Sequence, residues 1–577
     1  TFTARDPERD YWHWKGLIAG HPTVGTASFD LDLPGLDSSS GDIAFVTVHL
    51  QGASESDVPR EHRAVLSVGS EILGATVFDG LEAHTARFGV KTSTLEAALL
   101  ATGKITVDVA AEVGSGSAQS LFYVDGFDVE YPRRYEAVGD VLEGDWNGHP
   151  RITVDGFGSA KVRVFDLLNP LRPKRIVDPT IEEAAPGRFL VGFRPSSGEG
   201  RFLAVGSGSV IEPEVVIDQP SDLLSRNQGA DYLVITSGEL MDAALRLADH
   251  RGASSGLSTQ VVDIEDIMDE WSGGLYHPET VREFLGYATS SWRTSPRYVV
   301  LVGAGHFDYR DLQGFGGNPV PPLLVGTPFG LYASDSAFGD FDFDGSPEVL
   351  VSRIPALTAG EVVDYIAKLR AYESAGVPGF DAILVADNVD AGGDFTAQSE
   401  QILAFMPRLS KVERIYLDEQ GLSGARARLL AAIDTGAPLV TYAGHGGVDR
   451  WAEEGLLQVG DVGGLTNLDS LGVFSSFSCN VARFELPGFT ALAEALVLHP
   501  DGGSIAALAP SGLALGFESH DLNRLWVERF YGFQGGNLGD ITLEVLRRFQ
   551  GDAQYPYSAA VYNLIGDPLV LPRPLAE

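Results

Sequence analysis

The sequence predicts a multidomain protein in which an all-β region, of β-sandwich or jelly-roll type, precedes an α/β domain built on a mainly parallel sheet. Two observations carry this reading. Up to about residue 224 the apolar residues alternate with period two in short runs punctuated by Gly, Pro and Asp. From Asp231 onward, unbroken apolar runs of about five residues alternate with amphipathic stretches, the pattern of parallel strands covered on both faces by helices. A third observation bounds both: 577 residues with 44% hydrophobic and 21% charged side chains make a globular chain too long for one core.

Residues 1–134 supply the first alternating runs, at 28–33, 44–50, 105–109 and 121–129. They form a β module, open to two uses: binding a glycan or partner, or acting as a structural lid or spacer. Residues 135–224 continue in strands (151–154, 161–165, 201–205), with a turn at Asn169-Pro170-Leu171-Arg172-Pro173, and read as a small β domain or an extension of the first. In residues 225–375 the expected strands are 232–235, 259–262 and 298–302, and the expected helices are 239–251, 278–291 and 359–372. Residues 376–577 begin a second α/β run, with strands at 382–386 and 412–417 and helices at 397–406 and 424–433.

Two strands of this last region end in reactive residues. Residues 439–443 form an apolar run that breaks at Gly444-His445-Gly446-Gly447, and residues 473–478 form another that ends at Cys479, the one cysteine of the chain. In an open parallel sheet, reactive groups collect outside the carboxyl ends of the strands. A histidine that takes the proton of a thiol makes it a nucleophile, and glycines beside it leave backbone N–H groups to hold an oxyanion. Cys479 is thus the candidate nucleophile, His445 the base, and the N–H groups of Gly446 and Cys479 the oxyanion donors. The plainer alternative for Cys479 is a small buried hydrophobe. Asp387, after the run 382–386, falls at the same edge. It either fixes the histidine tautomer through the second ring N–H or caps the turn into Asp390-Ala391-Gly392-Gly393.

YAGHGG followed by SFSCN resembles the His and Cys motifs of the gingipain-type cysteine peptidases (peptidase family C25). The likeness extends to ILVADNVDAGGDF, DSAFGDFDFDGSPEVLVSRIP and YNLIGDPLVL, and spans about residues 225–577. It implies a caspase-like fold, thiol peptidase activity on a protein or peptide substrate, no cofactor for catalysis, and Asp387 as the acid of the site. Arginine-specific members place a pocket aspartate in the segment that here holds Asp394, which makes Asp394 a candidate for a basic P1 side chain. Its alternative is a cap on the helix that follows, with Leu513 and Leu515 lining an apolar pocket. Lysine-specific members use an acid where this chain reads Ala509 to Leu515, without one. Besides hydrolysis, two further functions are open: a sorting transpeptidase that passes the acyl group of a C-terminal signal to an amine, and a non-catalytic surface or scaffold protein.

Asp340, Asp342 and Asp344 alternate ahead of Gly345, like the front half of a calcium loop. Without a glutamate twelve positions along they form no EF-hand, so the alternatives are a structural calcium and a solvated acidic turn. A net charge of −38 argues against nucleic acid or an anionic membrane as partner and suits a secreted or cell-surface protein. No stretch is long and apolar enough to span a bilayer. The chain opens at Thr1 without a signal-like segment, as a processed or trimmed chain would. Oligomeric state has no signature in the sequence.

Overall fold

The computed structural model describes residues 6–7, 11–113, 119–146, 148–195, 198, 200–406, 411–532, 536–552 and 557–573. Contacts divide the chain at Asp218/Gln219 into two units. The first holds two antiparallel β-sandwiches. In one, the sheet Lys15–Ile18, Leu121–Glu130, Ile43–Gly52, Ala83–Lys91 shares a core with the sheet Thr26–Leu31, Ile105–Val113, His62–Val68, Glu71–Phe78. The alternation read from the sequence explains this: Val46, Val48, Leu66, Val107 and Phe122 point inward while their neighbours face out. A helix at Thr92–Thr102 interrupts the expected all-β pattern, because TLEAALLA has no period-two alternation and no β-branched run. The second sandwich, Val141–Gly206, packs around Trp146, Phe157, Phe193 and Phe202. Both sandwiches fall in one contact unit.

The second unit is organised on a ten-stranded sheet. In chain order its strands are β1 (Tyr232–Thr236), β2 (Thr259–Asp263), β3 (Tyr298–Val302), β4 (Leu350–Ile354), β5 (Ala382–Ala386), β6 (Val412–Tyr416), β7 (Leu439–Ala443), β8 (Gly472–Phe477), β9 (Ser504–Pro510) and β10 (Tyr562–Gly566). Their spatial order is β2-β1-β3-β4-β10-β9-β8-β7-β5-β6, and every neighbouring pair is parallel except β9 with β10. Residues 225–375 supply four strands and 376–577 six, in one continuous sheet. β1, β3, β4, β5, β7 and β8 are buried along their whole length, as strands covered by helices on both faces must be.

The seam lies where β4 meets β10, joined by a single registered pair, Arg353 with Ile565. Buried side chains reinforce it. Arg353 forks onto Asp335 at 2.9 and 2.7 Å, and its third nitrogen reaches the carbonyls of Gly303 and Val320, both at 2.8 Å. Asn563 of β10 accepts the Asp335 N–H at 2.7 Å. With both charges fully buried, each carboxylate oxygen and each terminal guanidinium nitrogen needs such a partner.

Candidate active site

β5, β7 and β8 lie side by side in register, Ala386 opposite Ala443 and Ala443 opposite Phe477. Asp387 therefore leaves the sheet one residue past this line, and His445 and Cys479 two residues past it. Two glycines make the approach close. A Cβ at Gly444 would collide with Asp387 and the Tyr442 hydroxyl, and one at Gly446 would collide with the Cys479 carbonyl oxygen. The backbones of Gly446 and Cys479 are thus brought close together.

The loop around His445 is held from below. Tyr442, buried and stacked on Trp451 with ring centroids 4.7 Å apart, donates to the His445 carbonyl at 2.6 Å and accepts the Ala452 N–H at 2.9 Å. Asp387, 1% exposed, accepts the His445 N–H at 2.9 Å and the Asn388 N–H at 2.8 Å, with the Tyr442 hydroxyl, shared with the His445 carbonyl, 3.3 Å away. Burial pushes its carboxyl above the ordinary carboxylate range against the pull of the two N–H groups. The expected bond from Asp387 to the imidazole is not made: both its oxygens are committed to loop backbone and Tyr442.

The ring partner is Asp390. His445 Nε2 lies 2.9 Å from Asp390 Oδ2 at the mouth of the site, the two side chains 42% and 39% exposed. The Gly392 N–H at 2.7 Å from Oδ1 is the main cause holding the Asp390 carboxyl below its usual range, with His445 adding to it. Sequence reasoning missed this residue, although it stands in the turn read as capped by Asp387. The imidazole also meets Phe395 in an edge-on contact, ring centroids 5.5 Å apart.

Cys479 is partly buried, with its sulfur between the carbonyl of Ala514 at 3.6 Å and the N–H of the same residue at 3.5 Å. Burial pushes its thiol pKa up, and the Ala514 N–H offsets part of that. After it Asn480 takes a positive φ of 59°, a conformation asparagine tolerates, and its N–H reaches the Gly512 carbonyl at 3.0 Å. His445 and Cys479 line a common cleft of about 230 Å³ with Leu515, Phe395, His520 and Asn523 among its walls.

Two expected pocket residues are placed elsewhere. Asp394 is exposed, outside the cleft lining, and accepts the Ala397 N–H at 2.9 Å as the cap of helix Phe395–Ile402, the alternative read from the sequence. Leu513 is also outside the lining, whereas Leu515 is part of it.

At the acidic loop, Asp340, Asp342, Asp344 and Glu348 bring one carboxylate oxygen each within 4.8 Å of one another. Glu348 completes the set although it stands too early for an EF-hand. Asp340 is 8% exposed, its Oδ1 is buried without a partner, and burial raises its pKa. Four carboxylates so close together, one of them with a buried, unpartnered oxygen, fit a hard divalent cation such as calcium. The loop is tied to helix Leu538–Asp552 by Arg547, which donates to the carbonyls of Pro347 and Glu348, both at 2.8 Å.

No helix among the described residues is long and apolar enough to cross a membrane. The chain resembles gingipain R (RgpB), described as an Arg-specific cysteine proteinase, with a TM-score of 0.50 at 18% identity over 62% of this chain and 81% of that one. The dimeric latent PorU of Porphyromonas gingivalis matches with a TM-score of 0.51 at 15% identity over 98% of this chain and 53% of that one. At such identities these likenesses show the fold alone. A search of curated proteins finds no match. The model of peptidase family C25 matches residues 225–573, well over half the chain, and the protein belongs to that family of cysteine peptidases, the gingipain type.

Proposed function

We propose that the chain is a cysteine endopeptidase of caspase-like fold that cleaves peptide bonds through Cys479, His445 and a thioacyl-enzyme. The observation that carries this reading is the register of β7 and β8, which sets His445 and Cys479 at neighbouring strand ends on one cleft. Residues 225–573 are the peptidase domain and the leading β sandwiches an accessory module.

Burial raises the pKa of the Cys479 thiol, and His445 removes its proton as the sulfur attacks. Asp390 accepts the Nε2 proton of the imidazole, which leaves Nδ1 to take the thiol proton, and it stabilises the imidazolium that forms. The carbonyl oxygen becomes an anion beside the N–H groups of Gly446 and Cys479. Collapse breaks the C–N bond, the leaving amine takes its proton from His445, and water activated by the same imidazole hydrolyses the thioester. Asp387 has a positioning role, through the backbone of His445. Calcium held by Asp340, Asp342, Asp344 and Glu348 is structural, and the acidic surface suits work outside the cell or on its surface.

A panel of fluorogenic peptides tests the function. Cleavage abolished by Cys479→Ser supports it, and a folded protein that cleaves none of the panel refutes it. The same panel with an added amine separates hydrolysis from acyl transfer: an endopeptidase releases the free acid, whereas a transpeptidase releases the amide.

A further inference from the structure

Beyond the thiol, the cleft runs between helix Phe395–Ile402 and helix Gly516–Gly532. Its volume of about 230 Å³ is less than small-molecule sites need and suits one amino-acid side chain. Part of its wall is polar: Ser519, His520 and Asn523 come from one helix and Gln398 from the other. Among the described residues that line it there is no Asp, Glu, Lys or Arg. Asn523 is 1% exposed and its Oδ1 sits 3.2 Å from the Thr441 hydroxyl, which leaves the amide N–H₂ as the group it offers. Ser519 accepts from the Tyr562 hydroxyl at 3.1 Å. Burial lowers the pKa of His520, which favours the neutral imidazole, a group that can both donate and accept.

A charged side chain of either sign entering this space would lose its water without meeting a countercharge. An apolar one would pack against Phe395, Phe477, Ala514 and Leu515 but would leave Asn523, Gln398 and Ser519 stripped of water without a hydrogen-bond partner. A carboxamide presents a carbonyl and an N–H₂ to groups that are themselves amides, an imidazole and a hydroxyl. On the cysteine-peptidase reading of this site, we propose that Gln398, Ser519, His520 and Asn523 form a P1 pocket selective for an uncharged carboxamide side chain, glutamine or asparagine. The pocket is therefore distinct in chemistry from one that pairs a P1 arginine with a carboxylate.

Peptidyl acyloxymethyl ketones that differ only at P1 (Gln, Asn, Leu, Arg, Asp) test this, with the rate of adduct formation on Cys479 followed by intact mass. The Gln or Asn probe is expected to react at least about tenfold faster than the other three, since sites that hydrogen-bond a substrate group discriminate strongly against analogues lacking it. Asn523→Leu should bring the Gln-to-Leu rate ratio close to one. Where that variant loses its cooperative melting transition, Gln398→Met on the facing helix is judged by the same ratio. Fastest reaction with the Arg, Asp or Leu probe, or an unchanged ratio in the folded variant, overturns the pocket assignment while the peptidase reading stands. A folded wild-type protein that no probe modifies at Cys479 overturns both.

Discussion

Exchanging the roles of two neighbouring aspartates is the sharpest test of the site's geometry. Asp390 meets the His445 ring in a pair that is about two-fifths exposed on each side, and exposed pairs of this kind are worth about 0.2–1 kcal/mol. Asp390→Asn removes that charge. If the new amide keeps its oxygen on the Gly392 N–H, it turns N–H₂ toward Nε2 and forces the proton onto Nδ1, the nitrogen that has to accept from Cys479. The upper end of that range alone is about fivefold in kcat/KM, and the tautomer change adds to it, so a loss of at least about fivefold is expected with an unchanged melting temperature. Asp387→Asn acts on the fold instead. It leaves one acceptor oxygen where two buried backbone donors were served, a deficit of about 1–3 kcal/mol, and melting should fall by a few degrees. Kinetics on a fluorogenic peptide and thermal melts at neutral pH read both. An Asp390→Asn enzyme at the wild-type rate, beside an Asp387→Asn enzyme that melts normally but has lost nearly all activity, would refute the assignment.

Three more outcomes follow from particular groups. Burial pushes the Glu494 carboxyl up to about 8, so the native state holds a proton the unfolded chain releases near 4.5. Its stabilisation is full below that lower pKa and lost as pH rises through 8, so Glu494→Gln should gain in melting temperature relative to wild type between pH 5 and 9, and a constant difference would contradict this. If a cation sits among Asp340, Asp342, Asp344 and Glu348, chelation should remove about 2.7 kcal/mol of stability where the metal had stood at a hundred times its Kd, seen as a lower melting temperature, and Asp342→Asn should shrink the effect; identical melts with and without chelator would leave a solvated turn. Asp394→Ala should cost about 1 kcal/mol of stability and leave the ranking of P1 residues unchanged, whereas a changed ranking would return it to the pocket.

The parts of the site that the sequence made legible are those governed by local pattern. Apolar runs that stop at GHG and at the cysteine mark strand ends, and parallel strands put their ends on one edge, so His445 and Cys479 are readable from the chain alone. Asp390 is not, because its role depends on how the turn Asp390 to Gly393 folds back toward a strand about 50 residues away, and nothing periodic marks it. Asp387 sits at the correct edge, yet the loop backbone takes up its oxygens first. The place of β10 is equally hidden: YNLIG reads as a strand, but only packing shows that it enters the seam between β4 and β9, antiparallel to the latter. The polar wall of the cleft lies on a helix whose hydrophilic residues look like an ordinary solvated face until the cleft is seen beside them.

The central claim is that Cys479 attacks with His445 as its base. The most direct measurement is intact-mass detection of the covalent adduct formed by a peptidyl acyloxymethyl ketone of mixed P1 composition, across pH, on wild type and on His445→Ala. One adduct is expected, located on Cys479 and suppressed in His445→Ala at every pH tested. A folded wild type that stays unmodified, or a His445→Ala variant that reacts at the wild-type rate, would contradict it.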